Sequence, residues 1–325
     1  MANRTMASQL LLAVILVSSQ WALAAQQPDA RNNPLRGPRG SLIVCKYPMV
    51  SIDAQVTSRT SGEVVRDLIH EELTISENGI PQILQSFHRF RAPLSLVILI
   101  DSASTNRNVS SLSNEASALS VGLGNVLEPG DEVSVLSFEP GPQILQDYTA
   151  DRDLITAAIE RAYPQKNASV APLPGRLRLA LERAAEQAQI AHNAEARHAI
   201  ILISDVFQKG PHKPLPFGVL AAIVKSGSAL FVAGLEELAP QGVGETRDLS
   251  RVTIPEMVGL SGGSLVRDEW ESALERMRWT YRIAYYADAG RSGEIVRIRL
   301  ELKPSASRDR DLALAYPRFA ILPHE

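Results

Sequence analysis

The stretch that most constrains the fold is Leu94 to Thr105, LSLVILIDSAST. Leu94 and the run Leu96 to Ile100 are apolar, and they lead directly into Asp101 and a series of hydroxyl residues. A continuous apolar run predicts a strand buried on both faces, as in a parallel sheet. Carboxylate and hydroxyl oxygens just past such a strand stand at the carboxyl edge, where open α/β sheets place their ligands. Oxygen clusters of this kind suit Mg²⁺, Mn²⁺ or Ca²⁺. This segment therefore predicts a fold class and a candidate metal site, but no reaction.

After Ile100 the pattern alternates. Leu112, Ala116, Leu119 and Leu123 share one helical face, Pro129-Gly130-Asp131 is a turn, and Val133 to Phe138 reads as a strand with Ile144 to Tyr148 as its hairpin partner. Asp151 and Asp153 favour a helix start near Ile155. Leu177, Leu181, Ala184 and Ala188 mark the next helix, before the buried strand His198 to Ser204 that ends at Asp205. A helix at Val219 to Val224, a strand at Ala229 to Val232, a helix at Ile254 to Leu260, a strand at Ser264 to Val266 and a last helix at Trp270 to Trp279 complete the series. Strands alternating with helices predict a doubly wound, mostly parallel sheet.

Both flanks read as β. Val50, Ile52, Ala54 and Val56 alternate with polar residues, as do Val296, Ile298, Leu300 and Leu302. Asn78-Gly79, between Leu73-Thr74-Ile75 and Ile83-Leu84, is a hairpin signal. The expectation is an accessory antiparallel β domain formed by the N- and C-terminal segments. The predicted divisions are 1–24 signal peptide, 25–40 linker, 41–92 N-terminal β segment, 93–280 α/β domain and 281–325 C-terminal β segment.

The leader rests on Arg4, the apolar run Leu10 to Val17 and the small-residue site Ala22-Leu23-Ala24, the three parts of a secretory signal. That run is short for a membrane span, so the mature chain is expected to lack one. Residues 25–40 carry Pro28, Pro34 and Pro38 without periodicity, as linkers do. Cys45 is the sole cysteine. It excludes an internal disulfide and reads as a small hydrophobe in a strand. A net charge of −3 argues against a strongly basic nucleic-acid binder.

In their order and spacing these features resemble a von Willebrand factor type A domain, and more narrowly the exported bacterial proteins related to it. The resemblance runs over roughly residues 45–303. Its landmarks are the Glu77-Asn78-Gly79 hairpin leading to Phe87, the strand to Asp101, Glu128-Pro129-Gly130-Asp131, Ser204-Asp205, Ser261-Gly262-Gly263, and Arg278 followed by Tyr281 and Tyr286. The family usually carries a metal-ion-dependent adhesion site with a D-x-S-x-S loop, a Thr from a second loop and a later Asp. A partner's acidic residue completes the metal's shell. The resemblance implies Asp101, Thr105 and Asp205 as metal ligands here. Ala103 replaces the first Ser, and Gly175 or Arg176 stands at the Thr position. The site is thus degenerate, and Mg²⁺ or another divalent cation is expected to bind weakly or not at all.

Rival chemistry finds less support. Gly259-Leu260-Ser261-Gly262-Gly263 fits G-x-S-x-G, but a nucleophile elbow needs strand, turn, helix, and here helix precedes the turn. Ser261 then reads as a helix-terminating residue. The six histidines show no zinc spacing, and no phosphate-binding glycine loop occurs. Lys209 to Pro214 is a basic loop past Asp205, either solvated or part of a binding rim. The reading is a non-enzymatic, exported protein-binding (adhesion-type) module, periplasmic or secreted, using the carboxyl edge of its sheet. The alternative is a structural component of a cell-envelope assembly, contacting its partners through the β domain.

Overall fold

The computed structural model describes residues 48–102, 109–138, 141–163, 173–204, 214–233, 250–267, 269–288, 290–304 and 311–323. The expected signal peptide, the linker, Cys45, Ala103, Thr105, Asp205 and the basic stretch 209–213 lie outside them.

The apolar run forms the strand Leu94–Ile100, buried at every position. It is the middle of a five-stranded sheet in the spatial order Gln143–Thr149, Glu132–Ser137, Leu94–Ile100, Arg197–Ile203, Ala229–Ala233. All neighbours are parallel except Gln143–Thr149, which returns antiparallel along one edge. Numbered along the chain, the order is 3-2-1-4-5. Leu265 adds a parallel bridge to Val232 at the sixth position, a bridge rather than the strand expected over Ser264 to Val266.

Period-2 geometry explains why this strand is apolar throughout. Leu94, Leu96, Ile98 and Ile100 pack on one face with the helices Val109–Val126, Arg152–Arg161 and Trp270–Arg278. Val97 and Leu99 pack on the other with Leu173–Gln189, Phe217–Lys225 and Ile254–Ser261. Each buried Leu, Ile or Val contributes about 1.5–3 kcal/mol, so a polar residue at any of these positions would be costly. The helices start where the chemistry directs. Asp151 caps Arg152–Arg161 by accepting from the amides of Asp153 and Leu154, and Thr253 and Glu256 form a capping box on Ile254–Ser261.

The chain ends build two four-stranded antiparallel sheets. One has the order Leu312–Ala315, Met49–Ser58, Trp279–Tyr286, Leu84–Arg91, and the other Phe319–Ile321, Ile295–Leu302, Leu73–Glu77, Ile80–Gln82. Their inner faces share one core that includes Ile52, Val56, Ile75, Tyr281, Ile283, Ile298 and Leu300. Segments from both termini thus form a single sandwich. The Asn78-Gly79 turn has positive φ at both residues, 50° and 84°, the geometry of a two-residue type I′ hairpin. Its second strand is Ile80–Gln82, with Glu77 opposite Ile80. The expected partner, Ile83-Leu84, belongs elsewhere: Leu84 opens a strand of the other sheet.

Candidate functional site

The order 3-2-1-4-5 has one topological switch point, between Leu94–Ile100 and Arg197–Ile203, and ligands of open α/β sheets bind outside the carboxyl ends of strands at such a point. Asp101 and Ser204 are the next residues after these two strands. Both are buried, Asp101 at 1% and Ser204 at 0% exposure. The Ser204 hydroxyl donates to Asp101 Oδ2 at 2.8 Å, and the Asp101 amide donates to the Ile203 carbonyl at 2.9 Å. One side-chain bond and one backbone bond therefore set the direction of the carboxylate across the switch point. Sequence reasoning named Ser204 as a landmark but gave it no role. Its place one residue before Asp205, at the end of a fully apolar strand, was the available signal.

The same edge receives the start of the helix Leu173–Gln189. This helix ends before Arg197, at the amino edge of the parallel strands, so its first turn lies at the carboxyl edge. Gly175 and Arg176 are in that turn. Gly175 is exposed, with open space where a Cβ would project, and Arg176 is buried. The Ser102 hydroxyl, next to Asp101, is buried without a hydrogen-bond partner.

Of the three expected metal ligands, Asp101 is described and stands at the carboxyl edge, beside the switch point; Thr105 and Asp205 lie outside the described residues. Among the described residues no group of three or more His, Cys, Asp and Glu side chains is arranged to hold a metal.

Ser261 is no nucleophile in this arrangement. Its hydroxyl accepts from the Leu230 amide at 3.0 Å and donates to the Val258 carbonyl at 3.1 Å, and the residue is 2% exposed. Gly262 ends the helix in the left-handed region, φ 81°, as helix-terminating glycines do. Gly263 lies so close to the neighbouring strand that a Cβ would stand 1.8 Å from the Leu230 carbonyl oxygen. The G-x-S-x-G pattern is a packing device.

No family model matches the sequence, and no curated protein does. Solved structures that resemble the chain include the von Willebrand factor domain of the type V pilus tip protein Mfa5 from Porphyromonas gingivalis, 20% identical over 35% of this chain with a TM-score of 0.29. The chain spans 38% of that structure's length. BatB from Bacteroides thetaiotaomicron is 17% identical over 57% of this chain and 96% of its own, with a TM-score of 0.40. A von Willebrand factor type A protein from Catenulispora acidiphila is 13% identical over 86% of this chain and 75% of its own, with a TM-score of 0.34. At such scores the sheet order, rather than any one of these structures, carries the fold: a doubly wound, mostly parallel α/β body with an accessory β sandwich.

Proposed function

We propose that the protein is an exported, non-enzymatic, adhesion-type binding module that recognises a protein through the carboxyl edge of its parallel sheet. Residues 1–24 serve as its signal peptide and 25–40 as a linker. Residues 93–280 form the binding domain, and 41–92 with 281–325 the β segments that carry it. The mature chain is periplasmic or secreted. The observation that carries this reading is the buried Asp101, oriented by Ser204 at the switch point. Taking a carboxylate out of water carries a desolvation cost, and a ligand-facing role accounts for one placed and oriented at this edge.

Asp101, Thr105 and Asp205 are the residues that would hold a divalent cation, whose positive charge would attract an acidic residue of the partner. With Ala103, and with Gly175 or Arg176, in place of hydroxyl ligands, the cation is weakly held or dispensable. A pull-down from the native envelope, with and without chelator, tests the reading. Asp101→Ala should abolish partner capture, and capture unchanged by that substitution would overturn the proposal.

A second reading, a structural part of an envelope assembly joined through the sandwich, is favoured by one observation. Ile80 and Ile83, on and beside an edge strand, are 63% and 78% exposed. Under it, Ile80→Lys with Ile83→Lys would abolish capture and Asp101→Ala would spare it.

A further inference from the structure

At the opposite, amino edge of the parallel sheet, a cavity of about 470 Å³ opens between that edge and the outer face of the strand Met49–Ser58. Ligand sites are typically about 300–1,000 Å³ and favour the junctions between structural units. Three permanent cations line it, Arg197, Lys225 and Arg282, against one acid, Asp53, among the described residues.

These cations are not equivalent. Arg282 is neutralised: it grips Asp53 with two bonds of 2.9 and 3.2 Å, lies 3.5 Å from Glu195, and stacks over Phe90. Arg197 is 3% exposed, and its Nη1 donates to the Met277 carbonyl at 2.7 Å. No carboxylate among the described residues lies within ion-pairing distance of it. Burial lowers its proton affinity, with only the charge of Asp53 opposing. The Arg197 guanidinium also lies over the Phe231 ring, 5.9 Å from the centroid, so its partners are one carbonyl and one aromatic face, neither of them charged. A buried cation without a carboxylate gains little stability, and the guanidinium's fork geometry suits planar oxyanions. Lys225, exposed at the rim, has no ion pair among the described residues. The Nδ1 of His198, also in the lining, is buried without a hydrogen-bond partner. The cavity thus has a cation at its rim, a buried guanidinium in its wall and an unused imidazole nitrogen, with its one acid already engaged.

We propose that this cavity binds a small anion, a carboxylate or a phosphate, with Arg197 as its principal contact and Lys225 at the entrance. The site is independent of the Asp101 crevice, which lies at the other end of the parallel strands.

Calorimetric titration of the full chain with inorganic phosphate and, separately, with citrate tests the proposal. Saturable binding of phosphate alone assigns a phosphate ligand, binding of citrate alone assigns a carboxylate, and binding of both leaves the shared oxyanion chemistry in place. In each case Lys225→Gln should weaken affinity about tenfold or more, Arg197→Met should abolish it, and Asp53→Asn should strengthen it several-fold, while Asp101→Asn leaves it unchanged. Should Arg197→Met fail to fold through loss of its Met277 contact, the opposite-signed pair Lys225→Gln and Asp53→Asn decides. No saturable heat with either anion, or affinity indifferent to that pair, would overturn the proposal.

Discussion

Arg278 and Asp131 form a two-pronged ion pair with both side chains 1% exposed. Arg278 Nη1 lies 2.7 Å from Asp131 Oδ1, and its Nη2 reaches both Asp131 Oδ2 and the Val126 carbonyl. Asp131 in turn accepts from the Leu94 amide at 2.8 Å and the Glu128 amide at 2.7 Å. One pair thereby ties the last helix, the end of the first helix, the Glu128–Asp131 turn and the start of the central strand. Both carboxylate oxygens of Asp131 and both Nη atoms of Arg278 are hydrogen-bonded, whereas Arg278 Nε makes no hydrogen bond and lies 3.8 Å from Glu275.

Removing one partner leaves an unpaired buried charge, which costs roughly 3–5 kcal/mol. Arg278→Met is expected to lower unfolding stability by about that much in urea denaturation. Adding Asp131→Leu should recover part of the loss, because the double variant buries no unpaired charge. Strictly additive losses would show that the two side chains are not coupled.

Arg91 lies between two carboxylates, with Glu275 at 2.6 Å and Glu128 at 2.5 Å. The hydrogen bonds from Arg91 are the main reason both carboxyls titrate below the usual range, and they also raise the proton affinity of Arg91 itself. Folded pKa values below the unfolded value of about 4.3 mean that the unfolded chain binds more protons in this interval. The stabilisation is therefore complete above that value and is lost as pH falls through the lower, folded values. Denaturation midpoints should drop on acidification from pH 5 to pH 3. Arg91→Met should flatten that dependence, and an unchanged slope would refute the assignment. The partial exposure of all three side chains keeps the effect small.

The parts of this fold that were legible in the sequence are those where one period dominates over a full element. The central strand has no polar residue after Ser95, and the helix faces at Leu112 to Leu123 and Leu177 to Ala188 match the cores in which they are buried. The hairpin partner was misplaced because the apolarity of Ile83-Leu84 outweighed Ile80-Pro81-Gln82, although a two-residue Asn-Gly turn obliges pairing to resume at residue 80. Exposure of Ile83 shows that apolar character there does not mark a core position. Two sheets, rather than one, follow from pairings between strands more than two hundred residues apart, such as Ile52 with Ile283, which no local pattern encodes. At the site, Asp101 was legible from its position after an apolar run. The amino-edge cavity was not, since Arg197 and Asp53 meet only through the packing of the sandwich against the α/β body.

The Ser261 turn gives a sharp test of structure against chemistry. Ser261→Ala leaves the Leu230 amide without its acceptor and should cost about 1–3 kcal/mol. Gly263→Ala places a Cβ against the Leu230 carbonyl and should cost at least as much, within or above the roughly 1–3 kcal/mol of an overpacked core. Ester hydrolysis by the unaltered chain that disappears in Ser261→Ala, with stability unchanged, would restore the hydrolase reading.

The strand Trp279–Tyr286 pairs with Met49–Ser58 on one side and Leu84–Arg91 on the other. Truncation after Trp279 removes this central strand and, with it, the core contacts of Tyr281, Ile283 and Tyr285. Hydrogen exchange in Met49–Ser58 should rise towards that of an unprotected segment. Unchanged protection there would mean that the N-terminal strands stand without the C-terminal ones.

The metal is the last test, and it bears on the proposed function directly. Mg²⁺ demands near-octahedral oxygen coordination and gives up water reluctantly, so each missing protein ligand weakens the site. Asp101 is buried at the carboxyl edge with its Oδ2 hydrogen-bonded to Ser204, whereas Ala103 has no side-chain oxygen to offer and Gly175 or Arg176 supplies no neutral hydroxyl. Binding by the unaltered chain should therefore be on the order of millimolar or absent. Open space at the Gly175 Cβ position leaves room for a threonine there, so Gly175→Thr combined with Ala103→Ser adds the two hydroxyls that the proposed site lacks. Calorimetric titration of both proteins with Mg²⁺ should show tighter binding by the double variant. If the unaltered chain bound Mg²⁺ tightly, the assignment of Ala103, and of Gly175 or Arg176, to the ligand positions would be wrong. If the variant gained nothing, Asp101, Thr105 and Asp205 would not converge on one ion, and recognition at this edge would have to proceed without metal.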